Sequence, residues 1–285
     1  MKAPLGVFDS GLGGLTVVRS LVRALPAESI AYFGDTARLP YGNKSPATVR
    51  RLSLEAYWFL RHLGVKAFVV ACNSASALAM ETLLREADVP VLGVVEAGAR
   101  RAAAETVGGR VGVLGTRATI GSRCYEEALG ALNPSIEVAA AACPLFVPLV
   151  EEGWLDREVT RQVARDYLAP LREAGVDTVI LGCTHYPLLR RVIQEEMGEG
   201  VRLIDSGEAV AEEVRDMLTS RSLRAPAGAV PRHRFLVSDQ AERFAEEAGK
   251  FLGEDLLGEV RAVDQSDLPW YDRWVPPGET REQEG

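Results

Sequence analysis

Lysine is scarce in this chain: Lys2, Lys44, Lys66 and Lys250 stand against 28 arginines in 285 residues. That leaves few candidates for a Schiff base with a pyridoxal-type cofactor. Histidine is scarcer still, with three residues, and the four cysteines (72, 124, 143 and 183) form no CxxC pair. Both deficits argue against a zinc or iron–sulfur site. No apolar run reaches the roughly 18 residues of a membrane helix. The longest, 138–150, carries Pro144 and Pro148. No signal-peptide pattern precedes the first apolar segment, so a cytoplasmic protein with free thiols is expected. Net charge is −8, which argues against a general nucleic-acid surface.

What is present is a soluble-protein composition, 47% hydrophobic and 25% charged, in a chain long enough for two cores. Short apolar runs alternate with amphipathic segments, which predicts α/β architecture with parallel sheets. Strands are expected near 5–8, 29–33, 65–71, 89–96, 110–115, 136–142, 176–182, 201–205 and 233–238. Helices are expected between them, including single ones over 121–132 and 156–174. RVGVLG (110–115) resembles the opening LGVFD. The expected division is a first α/β domain of residues 1–97 and 208–263, a second of 98–207, and a flexible tail of 264–285 holding Trp270, Tyr271 and Trp274.

The two halves repeat. Gly64-Val-Lys-Ala-Phe-Val-Val-Ala-Cys72 aligns without gaps on Gly175-Val-Asp-Thr-Val-Ile-Leu-Gly-Cys183, at a spacing of 111 residues. Each copy predicts a βα unit with a thiol at the carboxyl end of its strand, where open α/β sheets place their ligands. A matched pair of thiols is unusual for nucleophilic catalysis, which needs one Cys and an oriented base. It suits racemisation, in which one thiolate removes a proton from one face of a carbon and the opposing thiol protonates the other. Ser10, Tyr41, Asn73, Ser74 and Thr184, with the Gly42 backbone, can donate to substrate carboxylates. Asp9 can bind an ammonium group or act on Cys72, and His185 can act on Cys183. Cys124 and Cys143 lack this context and read as structural, and Asp35 reads as a turn residue.

FDSGLGGL (8–15), GDTARLPYG (34–42), ACNSAS (71–76), GVVE (93–96), CPLFVPLVE (143–151), LGCTHYPLL (181–189) and IDSGE (204–208) together resemble the glutamate racemases of the aspartate/glutamate racemase superfamily. The resemblance implies a cofactor-independent enzyme, without metal, that supplies D-glutamate for peptidoglycan and usually dimerises. It implies Cys72 as the acid/base residue for D-glutamate and Cys183 for L-glutamate. It also implies assistance by Asp9 on one side and by His185 with Glu151 on the other. The family contacts fall on Asp9, Ser10, Tyr41, Gly42, Asn73, Thr184 and His185. Ser74 stands where the family commonly has Thr, and Thr116 and Thr119 match a further family pattern. The chain begins almost at its first strand, so activation by a peptidoglycan precursor is not expected. Rival readings are an aspartate racemase, a Cys-His hydrolase with Cys183 as nucleophile, and a binding protein for another protein.

Overall fold

The computed structural model describes residues 3–253 and 258–263. The expected tail, 264–285, lies outside the described residues. Uniformly apolar runs of four or five residues are buried on both faces as parallel strands. In chain order the first half comprises β1 (Leu5–Asp9), α1 (Leu15–Ala24), β2 (Ile30–Gly34), α2 (Pro46–His62), β3 (Ala67–Val70), α3 (Asn73–Glu86) and β4 (Val91–Gly93). Helix α4 (Val94–Glu105) leads into β5 (Arg110–Gly115), α5 (Arg117–Ser122), α6 (Cys124–Leu132), β6 (Glu137–Ala142), α7 (Phe146–Glu151) and α8 (Glu158–Glu173). Then come β7 (Thr178–Gly182), α9 (Arg190–Met197), β8 (Arg202–Asp205), α10 (Ser206–Ser220), β9 (Arg234–Val237), α11 (Ala241–Leu252) and β10 (Glu259–Ala262).

These strands make two parallel-sheet α/β domains. One sheet has the order β10-β9-β2-β1-β3-β4 and the other β6-β5-β7-β8. The second order reproduces β2-β1-β3-β4, so the duplication is one of topology as well as sequence. β3 and β7 begin at Ala67 and Thr178, at the 111-residue spacing, each beside the leading strand of its sheet. The helices before them end at Gly64 (φ +76°) and Gly175 (φ +62°). That left-handed conformation is cheap for glycine alone, which is why both copies keep it. Helix α2 starts where Ser45 accepts a hydrogen bond from the Thr48 N–H and Pro46 takes the first turn. No helix among the described residues is long and apolar enough to cross a membrane.

The structure adds β10, where no strand is expected, and departs from the sequence expectations in three further places. The run 89–96 is a strand only over Val91–Gly93, because α4 begins at Val94 and buries Val94 and Val95. The expected helix 121–132 is two helices, α5 and α6, divided at Arg123 with φ 59°. CPLFVPLVE contributes the unexpected α7, with Phe146 and Val150 buried.

At the amino ends of the first sheet's strands, far from the thiols, Lys66 donates to Glu28 at 2.5 Å and to the Leu223 carbonyl at 2.8 Å. Glu28 also accepts from the Ala225 N–H at 2.6 Å. Both side chains are buried, so removing one charge strands the other. Glu28→Gln should lower unfolding free energy by about 3 kcal/mol. Urea denaturation measures this, and a loss below about 1 kcal/mol would show that water reaches the pair.

Candidate active site

Cys72 caps α3 directly after β3, and its carbonyl accepts the first helical bond, from the Ser76 N–H at 2.8 Å. Its thiol is 3.5 Å from Ser10 Oγ. Burial, and then the charge of Asp9, push it up to about 12, against the hydrogen bonds of Ser10 and the Ala75 N–H. Cys72 is therefore a protonated thiol at neutral pH. Asp9, at the end of β1, is buried and its Oδ2 accepts the Gly11 N–H at 2.9 Å. Its Oδ1 is buried without a hydrogen-bond partner among the described residues. Burial raises the Asp9 carboxyl, while charged His185 and the N–H groups of Gly11, Gly14 and Ser10 pull it back.

Cys183 follows β7 and opens a tight turn in which its carbonyl accepts the Tyr186 N–H at 3.1 Å. Its sulfur is 3.9 Å from His185 Nδ1, and His185 Nε2 is 3.2 Å from Glu151 Oε1, on α7. Burial lowers the imidazole, but the bonds to Cys183 and Glu151 outweigh it and raise its pKa to about 10. His185 is thus a cation at neutral pH, wedged edge-on against Phe251 of α11 at 5.5 Å. Thr16 on α1 donates to the Thr184 carbonyl at 2.9 Å, tying this turn to the other domain.

The two thiols open onto one cavity of about 390 Å³. Ten of the residues expected from the sequence line it: Ser10, Tyr41, Gly42, Cys72, Asn73, Ser74, Glu151, Cys183, Thr184 and His185. Asp9 stands behind the wall. Two expected donors are already engaged. The Tyr41 hydroxyl donates to Asp35 at 2.6 Å, and the Asn73 amide nitrogen goes to Tyr125 at 2.9 Å and Ser206 at 3.4 Å. Asp35 is fully buried and also accepts from Arg38 and Ser238, so it anchors the loop that carries Tyr41 and Gly42. Gly42 faces Thr116 across the cleft; an added Cβ would sit 2.9 Å from that side chain. Ser74 Oγ is 3.0 Å from Thr116 Oγ1 and 3.5 Å from Thr119 Oγ1, making a patch of hydroxyls from both domains. Sequence reasoning missed Tyr125 altogether and quoted Ser206 only inside IDSGE.

Two duplicated parallel-sheet domains that each bring a thiol from a matched strand end to one shared cavity form the frame of this site. The Asp/Glu/hydantoin racemase family profile matches residues 5–214, and the chain belongs to that family of isomerases. Within it, the chain is 54% identical to the glutamate racemase of Geobacter metallireducens over 91% of this chain and 96% of that one. The crystal structure of a glutamate racemase isoform from Bacillus anthracis superposes with TM-score 0.89 at 40% identity, covering 92% of this chain and 98% of that one. The Francisella tularensis glutamate racemase in complex with D-glutamate superposes with TM-score 0.86 at 35% identity, covering 96% and 99%.

Gly13 packs directly on the Cys183 turn, and a Cβ there would lie 2.5 Å from the His185 ring. Gly13→Ala should push the ring away from Cys183 and bring its titration midpoint down from about 10 towards 6.5. Imidazole NMR reads this directly, and an unmoved midpoint would contradict the assigned cause. The same shift fixes a pH dependence of folding. Because the folded pKa exceeds the unfolded one, the stability His185 contributes is whole below about 6.5 and is lost as pH rises through about 10.

Proposed function

We propose that this enzyme interconverts L- and D-glutamate with Cys72 and Cys183 as its two acid/base residues and no cofactor. One observation carries the reading: thiols from the two copies of the repeat line one cavity. The glutamate racemases among its relatives support the choice of substrate. In the L to D direction Cys183, facing the His185 cation, removes the α-proton. Cys72 then delivers its own proton to the opposite face. The reverse reaction exchanges these roles. Asp9 assists Cys72, and Glu151 assists Cys183 through His185.

The α-proton of an amino acid is weakly acidic, so negative charge developing on the substrate needs fixed donors. The first turn of α3, which no side chain caps, offers backbone N–H groups and the positive end of a helix dipole. The Gly42 N–H and the hydroxyls of Ser10, Ser74 and Thr184 complete the donor set for two carboxylates. A dicarboxylate also fits a cavity with hydroxyls from both domains at one end. By the same family likeness we assign the product to peptidoglycan synthesis and expect a homodimer.

Proton NMR of L-glutamate in D₂O, with chiral analysis, tests the reaction. Loss of the α-proton with appearance of D-glutamate is expected, and aspartate should react far more slowly. Cys72→Ser and Cys183→Ser should each lower racemisation by about 10³-fold. A Cys-His hydrolase would instead keep its activity in Cys72→Ser, and that result would sink the two-thiol reading. The alkaline limb of kcat/KM should fall as pH rises through about 10, when His185 loses its charge. The limb should move to lower pH in Glu151→Gln, since Glu151 helps to hold that proton.

A further inference from the structure

Asn73 follows Cys72 and begins α3, yet its side-chain amide donors point into protein. They reach the Tyr125 hydroxyl at 2.9 Å and the Ser206 hydroxyl at 3.4 Å. Ser206 in turn donates to the Leu181 carbonyl at 2.8 Å, two residues before Cys183 on β7. A chain of hydrogen bonds therefore runs from the neighbour of one thiol to the strand that carries the other. Asn73, Tyr125 and Ser206 are each at most 3% exposed, so water cannot stand in for a lost partner. Asn73, Cys183, Thr184 and Ser206 also border one small buried gap.

Ser206 belongs to the second of two Asp-Ser-Gly tripeptides, 9–11 and 205–207. In each, the Asp side chain accepts the N–H two residues on, at 2.9 and 2.8 Å. The first places Ser10 on the Cys72 sulfur; the second places Ser206 between Asn73 and β7. The same local turn thus serves one thiol directly and the relation between the two thiols indirectly.

We propose that Tyr125 and Ser206 are positioning residues that hold Asn73, Tyr125 from α6 and Ser206 through its bond to β7, and so set the spacing of the two thiols across the substrate carbon. This rests on the two-thiol reaction proposed above. Removing a proton from one face requires one thiol in place, whereas inversion requires both. Loosening the bridge should spare exchange and penalise inversion, a split that a general loss of stability would not produce.

The test follows L-glutamate in D₂O with wild type, Tyr125→Phe and Ser206→Ala, comparing D-glutamate formed with deuterium found in recovered L-glutamate. Circular dichroism and melting establish that each variant is folded. The expected result is folded variants whose inversion-to-exchange ratio falls on the order of ten-fold. The double variant should be little worse than the poorer single one, because both act on one amide. An unchanged ratio in folded variants would overturn the bridge and leave the reaction standing. A wild type that neither exchanges nor inverts would sink the reaction, and the bridge with it. Should Tyr125→Phe fail to fold, Ser206→Ala, which loses a single hydroxyl, decides. Failure of both to fold would assign these bonds to stability alone and overturn the positioning role.

Discussion

Ionisable groups withdrawn from water impose the governing constraint on this molecule. Cys72, Cys183, Asp9 and His185 are all buried around one cavity, and any of them carries charge there only with fixed compensation nearby. The compensation differs on the two sides. Around Cys72 it is backbone and hydroxyl, the N–H of Ala75 and the side chain of Ser10, and the Asp9 carboxyl behind them works against it. Around Cys183 it is a cation, held by a carboxylate that reaches in from α7. One sulfur therefore rests as a thiol, and the other faces a positive charge.

The backbone makes this arrangement possible because parallel strands all finish at the same edge of a sheet. Both thiols stand at such edges, and the two edges face each other across the cleft. Close approach then depends on missing side chains. Gly13 leaves room for the His185 ring and Gly42 leaves room for Thr116, so at both places the first domain presses bare backbone against a side chain of the second. The loop bearing Gly42 is itself fixed from within by Asp35, whose partners are Arg38 and Tyr41 of the same loop and Ser238 just beyond β9.

Much of this was legible in the sequence because it is local. The gapless repeat from Gly64 to Cys72 predicted the strand, its glycine stop and a thiol at the strand's carboxyl end in both copies, and β3 and β7 bear out each feature. The cavity-lining residues were legible where motif and strand end coincide. The roles of Tyr41 and Asn73 were not, because a sequence shows that a donor exists and not where it is spent. Asp35 takes the Tyr41 hydroxyl, and Tyr125, 52 residues from Asn73, takes the amide. The break at Gly93 escaped notice for a related reason. A short apolar run such as 89–95 reads equally as strand or buried helix until the packing of α4 against its neighbours decides.

The unequal surroundings of the two thiols carry a consequence that lies in thermodynamics. Mirror-image molecules have equal free energy in water, so under the proposed reaction the equilibrium constant is one whatever the site looks like. No asymmetry in the protein can make kcat/KM differ between the two directions. The His185 cation beside one sulfur, and its absence beside the other, can only redistribute that common value between kcat and KM. Divergence of the two halves after duplication was therefore free to tune which enantiomer is held more tightly, but never which one prevails.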